Sequence, residues 1–303
     1  MTSAERKEAI SAYLFLIPFF LWLVLIMGGP VLAAFFLSFC KWDILTPIHF
    51  VGFQNYKEMF FDDPRFWKAL YNTAYFTFLS VPIGMVLSIA VALLMNQKVK
   101  GIGIYRTLFY LPSVMGASVA VAVLWKWIFN ADSGLLNYMI TVLTGIPIAD
   151  CPKWLASEAW SKPALVLMSL WNVGGGMIIY LAGLQGIPVT LYEAAEIDGA
   201  SRWQQFWTVT MPGLSSVIFF QLIMAIVASF QIFTQVDVMT DGLGGPADST
   251  LVMVLYIYQK AFKYYQMGYA SALAWVLFLV IMLVTWIQFR YSKWVYYEGE
   301  LRK

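Results

Sequence analysis

Charge is scarce in this sequence. Asp, Glu, Lys and Arg make up 12% of its 303 residues, 61% are hydrophobic, and the mean hydropathy is +0.72. A soluble domain carries about 25% charged residues, so there is too little charge here to cover a water-facing surface. Histidine and cysteine are scarcer still: His49, Cys40 and Cys151 cannot make a Cys/His metal site among themselves. The two thiols could pair only if both face the outside. A net charge of +2, with no basic cluster interleaved with stacking aromatics, excludes a nucleic-acid partner. There is no Gly-x-x-x-x-Gly-Lys-Ser/Thr phosphate loop, and neither Gly101-Ile-Gly103 nor Gly174-Gly-Gly176 replaces one. No Ser/His/Asp set forms around His49 and no carboxylate pair lies in an apolar run, so no catalytic residue, metal or bound cofactor is expected.

Long apolar runs are what the chain does have. Six stretches, at roughly 12–40, 70–94, 105–128, 163–183, 214–236 and 267–290, each reach the ~20 residues a helix needs to cross the hydrocarbon core. Short alternating segments of the barrel type are not seen. The first run follows Glu5-Arg-Lys-Glu8, is long, and has no small-residue cleavage pattern after it, so it reads as a retained span. The expected class is an all-α integral membrane protein with six transmembrane helices, residues 1–303 forming a single membrane domain.

Placing the N-terminus inside puts Arg6, Lys7, Lys98, Lys100, Arg106, Arg202, Arg290, Lys293, Arg302 and Lys303 on the cytoplasmic side. That agrees with the positive-inside rule and makes both termini, and a polar insert at 188–212, cytoplasmic. Trp42, Trp125, Trp127, Trp160, Trp294, Tyr296 and Tyr297 lie near span ends and read as an interfacial belt in contact with lipid. Lys126 is placed to snorkel to the headgroups. Of the outer segments, 129–162 predicts a short helix after Asp132 or Ser133, and 237–266 predicts a turn over 240–246.

Polar groups inside spans are costly unless they face a cavity or a partner. Asn172 lies midway along the fourth run, Gln221 in the first half of the fifth, and Gln231 and Gln235 toward its outer end. These amides either bond across the bundle or offer donors and acceptors to a hydroxyl-rich ligand, with Trp171 or Tyr180 covering the apolar side of a sugar ring. The triplet Gly174–Gly176 reads as close packing or helix distortion, and Pro18, Pro30, Pro82 and Pro112 as kinks. No Asp, Glu, Lys or Arg lies deep in a span, which argues against a proton relay and a strongly charged substrate.

The insert runs Leu191-Tyr-Glu-Ala-Ala-Glu-Ile-Asp-Gly-Ala-Ser-Arg-Trp203 and on to Pro212. Thr190–Glu193 and Ser201–Gln204 both match capping boxes, predicting two short helices. Gly199 lies between them, either for positive φ or for close approach of a partner. Leu191, Ala194, Ala195, Ile197, Trp203, Phe206 and Trp207 give these helices an apolar side, with Glu193, Glu196, Asp198 and Arg202 supplying charge beside it. An amphipathic loop on the membrane and a dock for a separate cytoplasmic subunit both fit this pattern.

The string Glu193-Ala-Ala-Glu-Ile-Asp-Gly199-Ala, followed by Phe206 and Pro212, resembles the EAA motif of ABC importer membrane subunits, in particular carbohydrate-uptake permeases of the maltose and glycerol-phosphate type. Tyr105-Arg-Thr-Leu-Phe-Tyr-Leu-Pro112, Leu181-Ala-Gly-Leu-Gln185 with Pro188, 240–246 with Thr250, and Tyr258-Gln-Lys-Ala-Phe262 ahead of Gly268 extend the resemblance over nearly the whole chain. The sequence differs from the maltose permease in lacking its extra N-terminal spans and large outer domain. The resemblance implies a type I permease fold in a bacterial or archaeal cell membrane, paired with a second related permease. It further implies two cytoplasmic ATPases that hold ATP and Mg, and an extracellular or periplasmic protein that delivers a sugar or oligosaccharide. Glu193 would then lie in the coupling helix that enters the ATPase cleft, with Ala194 and Ala195 packed against it and Gly199 making the turn. A polyol or glycerol-phosphate-like solute is the alternative cargo. An ion-coupled secondary carrier would leave the insert without a use, and a scaffold would leave the span amides without one.

Overall fold

The computed structural model describes residues 3–116 and 118–295, with side chains from 3 to 7 and at 9 and 10 left aside. Tyr296, Tyr297, Arg302 and Lys303, and the side chains of Arg6 and Lys7, therefore lie outside the described residues. Among those described, secondary structure is helical apart from one two-residue antiparallel ladder that pairs Cys40–Lys41 with His49–Phe50.

Four helices are long and apolar enough to cross a membrane: Ser11–Ser38, Pro64–Met95, Glu158–Gly186 and Met267–Arg290. Two bent pairs bring the number to six if each is one span: Ile102–Val114 with Val119–Ile128, and Arg202–Gly213 with Ser215–Phe230, the latter bent by 64°. In chain order these are spans one to six. Span three is interrupted just after Pro112, where Gly116 takes φ +57°. Span five bends beside Pro212, which has no N–H for the helical ladder. A 3₁₀ turn, Leu170–Asn172, divides span four into Glu158–Ser169 and Val173–Gly186. Pro18 and Pro82, by contrast, sit inside uninterrupted helices.

Two boundaries differ from the sequence expectation for local reasons. Span two begins at Pro64, a residue whose fixed φ and missing N–H suit a first helical position. Span five ends at Phe230, because Gln231 and Ile232 donate to carbonyls three residues back, on Ala228 and Ser229, which tightens the last turn. A separate helix, Thr234–Met239, follows. The expected outer helix forms over Leu135–Thr144, and the expected turn lies at 240–246 with a cis Gly245–Pro246 bond.

The chain divides into two compact units. One comprises the residues up to Asp63 with Ile257–Phe278. Its outer loop is tied by buried Asn55, whose Nδ2 donates to the carbonyls of Ser38 at 2.8 Å and Cys40 at 2.9 Å. The Tyr269 hydroxyl donates to Asp63 Oδ2 at 2.5 Å. Cys40 and Cys151 are both buried and free, so the pairing that two outward-facing thiols would allow is not made.

The other unit comprises Pro64–Tyr256 and the residues from Leu279 on. Its core joins the ends of spans two, four and five nearest the insert: Ala92, Met95, Met177, Tyr180, Leu184 and Leu214 are all buried in one cluster. Arg106 Nε and Nη2 donate to the Met95 carbonyl at 3.1 and 2.8 Å, capping the last turn of span two from the start of span three. At the opposite end of span two, Arg65 makes a two-bond ion pair with Asp248, both at 2.9 Å, while Asn72 Nδ2 donates to the carbonyls of Asp248 and Leu251. The Lys126 ammonium donates to Asp241 Oδ1 and the Val238 carbonyl, because the loop after Thr234–Met239 brings an acid within reach.

Candidate functional site

Two sites emerge from this second unit, a cavity among the spans and the polar insert. The insert folds as a helix over Val189–Ile197, then a turn, then Arg202–Gly213. Gly199 has φ +75°, and the Ala200 N–H donates to the Ala195 carbonyl at 2.9 Å while the Gly199 N–H donates to Glu196 at 3.0 Å. These are the paired bonds of a Schellman turn, with Gly199 at its left-handed position. A Cβ on Gly199 would meet nothing within 4 Å, so within this chain the glycine answers to φ and not to crowding. Ser201 then starts the second helix with the expected capping box: its Oγ accepts from the Gln204 N–H, and Gln204 Oε1 accepts from the Ser201 N–H at 2.7 Å.

The expected box at Thr190–Glu193 does not form. Pro188 takes the N-cap position, so Thr190 already lies inside the helix and its hydroxyl caps nothing. The apolar side also divides. Leu191 and Tyr192 pack against the core cluster, and the Tyr192 hydroxyl bonds Thr210 Oγ1 at 3.0 Å. Ile197, 87% exposed, and Trp203, 69% exposed, face away, Trp203 stacking on Phe206 with ring centres 5.6 Å apart. Glu193, Ala194, Asp198 and Arg202 are exposed and Ala195 is half-buried, so the EAA face is free for a partner.

The cavity holds about 490 Å³ and is lined by spans two to five. Asn172, Tyr180, Gln221 and Gln231, far apart in sequence, all lie on its wall. Gln235 and Trp171 join them. Asn172 ends the 3₁₀ turn of span four, and Gln231 ends the main helix of span five, so both amides sit where backbone regularity is interrupted. The Tyr180 side chain is 1% exposed and its hydroxyl has no partner, as is true of Trp171 Nε1. Trp125, expected in the interfacial belt, instead turns inward, edge-on to Trp171 at 5.9 Å, because the interrupted turn of span four presents an aromatic face to it. Among the described residues no Asp, Glu, Lys or Arg lines the cavity.

The wall contributed by span two was not anticipated. Phe76, Ser80, Gly84 and Ser88 recur every four residues, one helical face, and all four line the cavity. That spacing was the available signal. Of the glycine triplet, Gly174 abuts the Phe109 carbonyl, and Gly176 faces Ser88 Oγ, 2.7 Å from where its Cβ would be. Both serve close packing, as expected.

Comparison with known proteins fits this architecture. Residues 61–295 match the family model of the binding-protein-dependent transport system inner membrane component. The chain belongs to this family. It is 40% identical over 296 residues to the probable ABC transporter permease protein YesP of Bacillus subtilis, covering 97% of this chain and 94% of that one. To the lactose transport system permease protein LacF of Rhizobium radiobacter it is 34% identical, covering 95% and 96% of the two chains. A chain of the bacterial alginate ABC transporter superposes with a TM-score of 0.81 at 23% identity, covering 96% of each. The fold is thus the all-α type I importer permease fold, and the chain is a multi-pass, non-catalytic permease subunit of an ABC transporter.

Proposed function

We propose that this chain imports a sugar or oligosaccharide as one of two permease subunits, all of 1–303 acting as one membrane domain, in the group of carbohydrate permeases of the maltose and glycerol-phosphate type. The insert at 188–212 takes the ATPase, with Glu193, Ala194, Ala195, Asp198, Gly199 and Arg202 as its contact and turn residues. Asn172, Tyr180, Gln221 and Gln231 line the path of the solute. Both termini lie in the cytoplasm, and ATP and Mg stay on the partner ATPases. A delivery protein on the outer side supplies the cargo.

One observation carries this reading. Tyr180 lies on the cavity wall and also belongs to the core cluster on which Leu191 and Tyr192 of the insert pack, so the two sites share a wall. An ATPase that displaces the insert displaces that wall. The uncharged lining of amides, hydroxyls and aromatic faces suits a neutral saccharide, whose hydroxyls need both donors and acceptors. The lactose-system relative named above is consistent with that class.

Uptake by vesicles holding the assembled complex tests the reading. Transport is expected to stop without ATP, the delivery protein or the second permease; uptake sustained by an ion gradient alone would refute it. Glu193→Ala is expected to weaken ATPase assembly or coupling while the delivery protein keeps its affinity for sugar. Unchanged stimulated ATPase activity and transport in that variant would reject the role given to the insert.

A further inference from the structure

Span two contributes a stripe to the cavity in which three positions carry side chains and one does not. Phe76, Ser80 and Ser88 are 5%, 7% and 5% exposed, and Gly84 falls between the two serines at the same spacing of four. A glycine in the interior of a 32-residue helix is unfavourable for the backbone and requires a reason. The usual reasons fail at Gly84. Its φ is not positive, unlike that of the cavity's Gly116. Nothing approaches it, since an added Cβ meets no atom within 4 Å, whereas one on Gly176 would lie 2.7 Å from Ser88 Oγ. What the missing side chain leaves is open space at a position that lines the same cavity as the amides of spans four and five.

We propose that Gly84 is a size-determining residue of the transport path: its missing side chain makes the room that a saccharide ring occupies beside span two, between the hydroxyls of Ser80 and Ser88. This rests on the reading of the cavity as the solute path. A Cβ at 84 touches no neighbouring helix, so bulk there is taken first from the volume of the cavity. The effect therefore grows with the length of the solute as well as with the size of the substituted side chain.

Two measurements test it. In vesicles holding the assembled importer and its delivery protein, uptake of galactose, lactose, raffinose and stachyose is compared for the wild type, Gly84→Ala and Gly84→Leu. Gly84→Ala is expected to keep at least about half of wild-type uptake, while Gly84→Leu loses about tenfold or more, the longest transported saccharide first, with the second permease still copurifying. Equal losses at every length, an unaffected Gly84→Leu, or loss of the second permease from the complex would each overturn the proposal, the last because it would make Gly84 a packing residue against that subunit. Separately, Gly84→Cys in a background with Cys40 and Cys151 changed to serine is expected to react with a small charged methanethiosulfonate added to the assembled complex. An unreactive Cys at 84 overturns the proposal whichever sugars are moved. If the wild type moves none of the four sugars while that Cys still reacts, the carbohydrate reading fails and the open space at 84 stands.

Discussion

Gly199 offers the sharpest test of how the insert works. It is the left-handed residue of the Schellman turn, φ +75°, with open space around its Cα. A side chain there carries a conformational cost alone: about 1–2 kcal/mol for an ordinary L-residue held in the left-handed region. Asn costs less because it visits that region readily, and a β-branched residue costs more. A loss of 1–2 kcal/mol lowers the ratio of native to non-native turn by a factor of roughly 5–30. The turn fixes how Val189–Ile197 meets the Ser201-capped helix, so a smaller share of molecules presents that surface correctly. The apparent affinity of the purified ATPase for the permease pair in nanodiscs, read by titration, is expected to fall in Gly199→Ala by at most that factor and further in Gly199→Val. Gly199→Asn is expected to stay closer to wild type. Equal loss in Ala and Asn would show that the glycine is kept for close approach of the ATPase; no loss in Val would show that the turn is not used in docking.

Three other substitutions read the frame around the sites. Gly174→Ala places a methyl against the Phe109 backbone carbonyl, which cannot swing aside, and is expected to cost roughly 1–3 kcal/mol, seen as lower unfolding temperature and poor monodispersity in detergent. Arg106→Ala removes two charge-assisted bonds to the Met95 carbonyl and is expected to cost about 1.5–3 kcal/mol in the same assay, with Arg106→Lys recovering part. Asp248→Asn keeps a residue that tolerates φ +56° but removes the ion pair with Arg65. The partners are 34% and 29% exposed, so the loss is expected to stay near ~1 kcal/mol, and the unfolding temperature is expected to become less dependent on salt than in the wild type.

The cavity was partly legible because an amide in an apolar run stands out, and Asn172, Gln221 and Gln231 stand out for that reason. Ser80, Gly84 and Ser88 did not, since small and hydroxyl residues are ordinary at helix contacts within a membrane and only their spacing marks them. Local patterns succeeded where nothing competed, as at Ser201–Gln204, and failed where a neighbour decided, as at Thr190, displaced from the cap by Pro188. The contacts of Lys126 and Trp125 lie with partners remote in sequence: Asp241 holds the ammonium and Trp171 turns the indole inward. Such pairings follow from chain topology, which span prediction from hydropathy does not supply.

The interruptions of spans three, four and five have a common location. Gly116, the turn at Leu170–Asn172 and the non-helical Gln231–Phe233 all contribute residues to the same cavity. Irregular backbone at membrane depth is tolerated where it lines a cavity or is buried in protein, so the breaks belong with the site. They also divide the helices into pieces on the insert side of the cavity and pieces beyond it. On the insert side Ile102–Val114 and Val173–Gly186 pack together, and the second of them continues through Ile187 into the insert. Beyond it Val119–Ile128 and the separate helix Thr234–Met239 pack together under the loop that Arg65 and Lys126 hold by ion pairs. Span two, unbroken from Pro64 to Met95, packs on both Glu158–Ser169 and Val173–Gly186 and so joins the two pieces of span four. The cavity lies at the level of these breaks, and the residues they leave out of regular helix, Trp171, Asn172, Gln231 and Phe233 among them, form part of its wall.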